Sequence, residues 1–77
     1  MIKDKVIVGG LYEHYKKKQY RVLGVAIHTE TLEPVVYYEA LYENDLSSFW
    51  VRPEKMFLES VEIDGVSVPR FKFIGHK

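Results

Sequence analysis

The chain has 77 residues, in which eleven Lys and Arg balance eleven Asp and Glu and no cysteine occurs. That length holds a single domain, residues 1–77, at the lower end of the usual domain range. Balanced charge removes the broad positive field that drives general nucleic-acid binding, and a chain without cysteine has no thiolate zinc site, cysteine nucleophile or disulfide staple.

The opening Met1-Ile2-Lys3-Asp4-Lys5-Val6 has no apolar run behind its charges and no small-residue cleavage site, which argues against a signal peptide. No later stretch approaches the ~18 to 20 apolar residues of a membrane span, so a soluble, cytoplasmic protein without membrane association is expected. Val6-Ile7-Val8 reads as a lead-in strand or arm that ends at Gly9-Gly10, a pair that permits a sharp change of direction. Leu11 to Tyr15 alternates as a strand, and Lys16-Lys17-Lys18-Gln19 reads as a solvated hairpin tip, with a phosphate-binding patch as the competing reading.

Tyr20 to His28 is the clearest strand: Leu23, Val25 and Ile27 mark one face, Tyr20, Val22, Gly24, Ala26 and His28 the other. Small residues at Gly24 and Ala26 predict a close approach, a bulge or a bend there. The polar run from Thr29 to Pro34 breaks the pattern, and Val35 to Tyr42 completes a central hairpin. Turn chemistry from Glu43 to Ser48 precedes a strand from Phe49 to Arg52, which Pro53 stops. In this last strand Phe49, Val51 and Pro53 are expected to seal the core.

Proline beside Glu54 starts a short helical or 3₁₀ turn near Pro53–Phe57. Leu58 to Ile63, the hairpin signal Asp64-Gly65, Val66 to Val68 and Arg70 to Ile74 supply the remaining strands. Short strands separated by turn signals predict an all-β fold, a small antiparallel barrel that hides its sheet edges.

Several segments resemble, in order, a bacterial family called domain of unknown function 1653. They are Gly10-Leu11-Tyr12-Glu13-His14-Tyr15-Lys16, Ala26-Ile27-His28-Thr29-Glu30-Thr31, Val35-Val36-Tyr37-Tyr38-Glu39-Ala40-Leu41-Tyr42, the run Trp50 to Glu59, and Pro69-Arg70-Phe71. The resemblance implies a compact SH3-like barrel and no assigned activity. Where that family tends to have glycine in the first hairpin and arginine before the histidine, this chain has Lys17 and Ile27.

Side chains for chemistry are few. His28 and Glu30, two apart, would share a face of a continuous strand and could hold a metal with His14 or perform acid–base work; the competing reading is a turn in which His28 caps the strand. Arg52 beside Trp50 could receive a carboxylate or phosphate on its planar fork, or be closed by an internal pair with Glu59, Glu54 or Glu30. Arg70 and Lys72 carry the same two readings. Six tyrosines exceed the needs of a core this small, so either Tyr37 or the set Tyr38 and Tyr42 should lie outside.

The expectation is a non-catalytic binding module that uses Tyr12, His14, His28, Glu30, Tyr37, Trp50 and Arg52 for a peptide, small ligand, nucleotide or partner protein. No cofactor or metal is assigned. The alternatives are a structural or homo-oligomeric unit, a homodimer included, and a minor enzymatic or metal-dependent activity around His28 and Glu30.

Overall fold

In the computed structural model, which describes residues 6–76, the chain folds into antiparallel strands and one short helix. They are β1 (Leu11–His14), β2 (Gln19–Ile27), β3 (Pro34–Ala40), β4 (Phe49–Pro53), α1 (Glu54–Phe57), β5 (Ser60–Ile63), β6 (Val66–Pro69) and β7 (Phe71–Gly75). The all-β expectation holds, with the helical turn where Pro53 and Glu54 placed it. Met1–Lys5, where a leader was sought, lie outside the described residues. Among the described residues no helix is long and apolar enough to cross a membrane.

A five-stranded sheet runs β4-β3-β2-β1-β7, and β5 with β6 forms a separate hairpin. The sheet does not close on itself, so the expected loss of edges is not achieved by hydrogen bonding. Proline at Pro53 and Pro69 offers no N–H to extend a ladder. Edge strand β4 is blunted instead: Ala40 N–H donates to Ser48, and the antiparallel alternation then turns Phe49 away from β3. There the Ser47 hydroxyl accepts from Phe49 N–H at 3.0 Å and donates to Phe49 C=O at 2.9 Å, which takes the outward groups of Phe49 out of any further pairing.

The central hairpin carries the predicted bulge. Val22 pairs with Tyr38 and Gly24 with Tyr37, which leaves Leu23 as the extra residue. One extra residue flips every later side chain. Val25 and Ile27 therefore join Tyr20 and Val22 on the inner face, where period-two alternation had put them opposite. A Cβ on Gly24 would meet nothing within 4 Å and its φ is not left-handed, so the expected close approach is absent and the structure gives no reason for glycine there.

Val6, Tyr12, Val22, Val36, Tyr38, Phe57 and Phe71 form the core, with Tyr20 and Trp50 packed against it. Helix α1 exists to deliver Phe57, whose ring is fully buried and stacks on Phe71 at 4.0 Å and 5°. Around that pair Tyr12 and Tyr38 approach edge-on at 5.2 and 5.4 Å from Phe57, the arrangement that aromatic quadrupoles favour. Strand β4 points opposite to expectation. Trp50 and Arg52 turn inward, opposite Tyr38 and Val36, while Phe49 and Val51 are 50% and 62% exposed.

Candidate functional site

At one end of the inner face, three strands and two connecting segments bring polar groups together beside the Phe71 ring. His14 closes β1 because the chain turns sharply after it: Lys17 N–H donates to His14 C=O and His14 N–H to Lys18 C=O, both at 2.7 Å. The register that puts His14 opposite Phe71 leaves the two rings 4.9 Å apart. Tyr20, at the start of β2, lies 5.6 Å from Phe71 and 6.5 Å from His14. Tyr42 follows β3, and its hydroxyl meets that of Tyr20 at 2.5 Å.

Arg52 reaches in from β4. Its guanidinium lies 5.6 Å from the centre of the Phe71 ring, and its Nε donates to the Tyr38 hydroxyl at 3.3 Å. The expected internal ion pair is not made: among the described residues no carboxylate stands within ion-pair reach of Arg52, and Glu59 is taken by Arg70 at 3.3 Å. Lys18 adds a further cation, 4.9 Å above the Tyr42 ring.

Electrostatics at this end favour donors. Burial lowers the His14 pKa below its ordinary 6.5, and the positive charges of Arg52, Lys16 and Arg70 lower it further. Its Nδ1 accepts from Lys16 N–H at 3.2 Å, so the neutral ring carries its proton on Nε2. Burial also raises the Tyr20 pKa, helped by the hydrogen bond with Tyr42. Beside this cluster an open groove of about 380 Å³ runs between the outer face of β1 and β7 and the β5–β6 hairpin. Its walls include Glu13, Tyr15 and Lys72 on one side and Ile63, Val68 and Pro69 on the other; His14 borders it, whereas Arg52 does not line it.

Residues 10–73 match the family model described as "Protein of unknown function (DUF1653)". The chain belongs to that family. Its fold is similar to the crystal structure of a DUF1653 protein from Bordetella bronchiseptica, with 37% identity and a TM-score of 0.83 over 88% of this chain and 87% of that one. No curated protein matches.

Within this DUF1653 fold the anticipated site residues separate. His14 and Arg52 come together. Tyr12 does not join them at the surface: it is 4% exposed, and its hydroxyl accepts from Ile7 N–H at 3.0 Å. Trp50 packs against the core and makes no ring pair with His14 among the described residues. Tyr37 sits on the outer face, 41% exposed, beside Phe49 at 6.1 Å.

His28 and Glu30 lie past the end of β2, roughly 25 Å along the strand from Tyr20 at ~3.3 Å per residue. Because β2 stops at Ile27, they do not share a strand face. His28 Nδ1 instead accepts from Glu30 N–H at 3.0 Å and Thr31 N–H at 3.3 Å, which is the strand-capping turn. Among the described residues they belong to no group of three His, Asp or Glu suited to a metal.

Tyr20, Tyr42, Lys18 and Phe71 complete the cluster: Lys18 belongs to the lysine run that had a phosphate patch as its competing reading, Tyr42 to the surplus tyrosines, and Tyr20 and Phe71 carried no functional expectation. For Tyr42 a further signal was present, since Tyr38, Ala40 and Tyr42 alternate onto the same face.

Proposed function

We propose that this DUF1653 domain is a non-catalytic binding module of SH3-like type, working in the cytoplasm, whose contact surface is the end of the sheet that carries His14 and Arg52. One observation carries the reading. Arg52 is half-buried on an aromatic ring with its Nη groups unmatched by any carboxylate among the described residues. A guanidinium held in that state keeps donors ready for an external ligand. The neighbouring rings Tyr15, Tyr20 and Tyr42 supply flat apolar area at low entropic cost.

An NMR shift-perturbation screen with peptide, nucleotide and small-molecule pools tests it. Saturable changes at His14, Tyr20, Tyr42 and Arg52 are expected. Silence at those residues for every pool removes the proposal.

A second reading, the homo-oligomeric unit, is favoured by a separate surface. Tyr37, Leu41, Phe49 and Val51 leave the outer face of β3 and β4 apolar and exposed, and patches of that kind commonly meet a partner. Light scattering across concentration decides: a monomer at high concentration rejects it.

A further inference from the structure

We infer that the His14–Arg52 cluster is a phosphate site, built for the dianionic phosphate group of a small ligand; this rests on the binding-module reading and names its ligand chemistry. The argument begins with what the cluster lacks. Among the described residues its polar groups include Arg52, His14, Tyr20, Tyr38, Tyr42 and Lys18, and no carboxylate is hydrogen-bonded or ion-paired to any of them. Arg70, close enough for its charge to act on His14, is already matched to Glu59.

What remains is a set of donors. The Nη groups of Arg52 are unspent, because its Nε alone is used, on Tyr38. His14 has Nδ1 occupied by Lys16 N–H, so its Nε2–H is the group left to donate. In the Tyr20–Tyr42 contact one hydroxyl donates to the other, and the acceptor's own proton is left for a third atom. Lys18 stands over Tyr42 with three further N–H groups.

These donors come from β1, β2, β4, the first hairpin and the segment after β3: His14, Tyr20 and Arg52 approach Phe71 from three strands, Tyr42 joins through Tyr20, and Lys18 through Tyr42. A flat carboxylate uses one fork. A tetrahedral oxyanion with three free oxygens uses donors arriving from several sides, and two or more uncompensated cations suit its double charge. The fixed aromatic floor holds Arg52 in place before the ligand arrives, which lowers the cost of ordering it.

The test follows ¹H–¹⁵N spectra, including the His14 ring and Arg52 Nε–H signals, while titrating four probes separately: inorganic phosphate, a nucleoside monophosphate, acetate and a neutral tyrosine-rich peptide. Phosphate is expected to move His14, Tyr20, Tyr42 and Arg52 saturably, with acetate at least tenfold weaker. Arg52→Gln should weaken phosphate roughly 10- to 100-fold, the scale of one charged hydrogen-bonding group. Arg52→Lys, which keeps the charge and loses the fork, should fall between, and Lys55→Gln on α1 should change nothing. Dispersed spectra establish that each variant is folded. A tighter fit for the nucleoside monophosphate assigns the phosphate to an ester, and equal affinity assigns it to free phosphate.

No saturable shift with either phosphate probe, equal affinity for acetate, or an undiminished response in folded Arg52→Gln overturns the inference. If the peptide alone moves these residues, the phosphate assignment falls and the binding module stands. If no probe moves them and wider pools are also silent, both fall.

Discussion

Arg52 and Phe71 are joined by a contact that no acid completes: the guanidinium lies 5.6 Å from the ring centre, with a hydrogen bond to the Tyr38 hydroxyl and no carboxylate in ion-pair reach among the described residues. The cation–π contact contributes about 0.5 to 1 kcal/mol, and a single hydrogen bond ~1 kcal/mol. Against them stands the cost of drawing a charge partly out of water. The terms nearly cancel. Arg52→Met, which keeps an apolar stem, is expected to change stability by less than about 1 kcal/mol in urea denaturation, while removing the phosphate response. A loss above ~3 kcal/mol, the scale of breaking a buried pair, would make Arg52 a structural residue instead.

His14 makes stability depend on pH in a direction that follows from its surroundings. Burial, then Arg52, Lys16 and Arg70, lower its pKa in the folded state below 6.5. Protonation would also turn Nδ1 from an acceptor into a donor facing Lys16 N–H. Of the rings beside it, Phe71 carries no titratable group, and burial raises the Tyr20 pKa. The unfolded chain therefore binds the proton more tightly, and the His14 contribution is fully present above pH 6.5 and lost as pH falls through the folded pKa. Denaturation midpoints should fall across that window, and His14→Asn should flatten the slope relative to the parent. An unchanged slope in the variant would assign the effect elsewhere.

Lys17 occupies a position that glycine fills more easily. Its φ of 74° is left-handed, which costs a residue with a Cβ about 1 to 2 kcal/mol. Glycine removes that strain at an entropic cost of roughly 0.5 to 1 kcal/mol. Lys17→Gly should therefore stabilise the fold by a few tenths to ~1 kcal/mol, read as a raised thermal midpoint. Gly10→Ala is the opposite case, because the new Cβ would come within 2.9 Å of the Ile7 carbonyl oxygen and of Phe73. A loss on the order of 1 to 3 kcal/mol is expected from that overpacking; a neutral result would show that the entry segment shifts freely.

These positions also mark how far the sequence could be read. Asp64-Gly65 announced its hairpin, and the observed φ values of 51° and 78° with Ile63 paired to Val66 are the geometry those residues favour. Pro53 announced α1. Period-two alternation correctly grouped Trp50 with Arg52 and Phe49 with Val51, but alternation is silent on which group faces inward. That choice is made by pairing with β3, where Trp50 meets Tyr38. The bulge at Leu23 reverses the faces of β2 without any change in residue pattern. For the same reason the Tyr20–Tyr42 contact, twenty-two residues apart in the chain, depends on a register that no local signal contains. His28 and Glu30 failed as a pair because the strand ended at Ile27, three residues short of Glu30.

Phe57 and Phe49 turn this difference of face into a measurement. Both are phenylalanines in the stretch around Pro53, yet Phe57 is fully buried against Phe71 and Phe49 is half exposed beside Tyr37. Truncating Phe57 to alanine empties the space at the centre of the aromatic cluster and should cost about 3 to 5 kcal/mol, a large share of the ~5 to 15 kcal/mol that holds a typical domain together. Phe57→Leu, which refills part of the volume, keeps the comparison measurable if the alanine variant does not fold. Phe49→Ala loses only surface contact and should stay within about 0.5 to 1 kcal/mol. If self-association uses the outer face of β3 and β4, Phe49→Ala will weaken it in light scattering while the monomer's urea midpoint hardly moves. Equal losses at the two positions would contradict the inward assignment of Trp50 and Arg52, because Phe49 could matter as much as Phe57 only by facing the core.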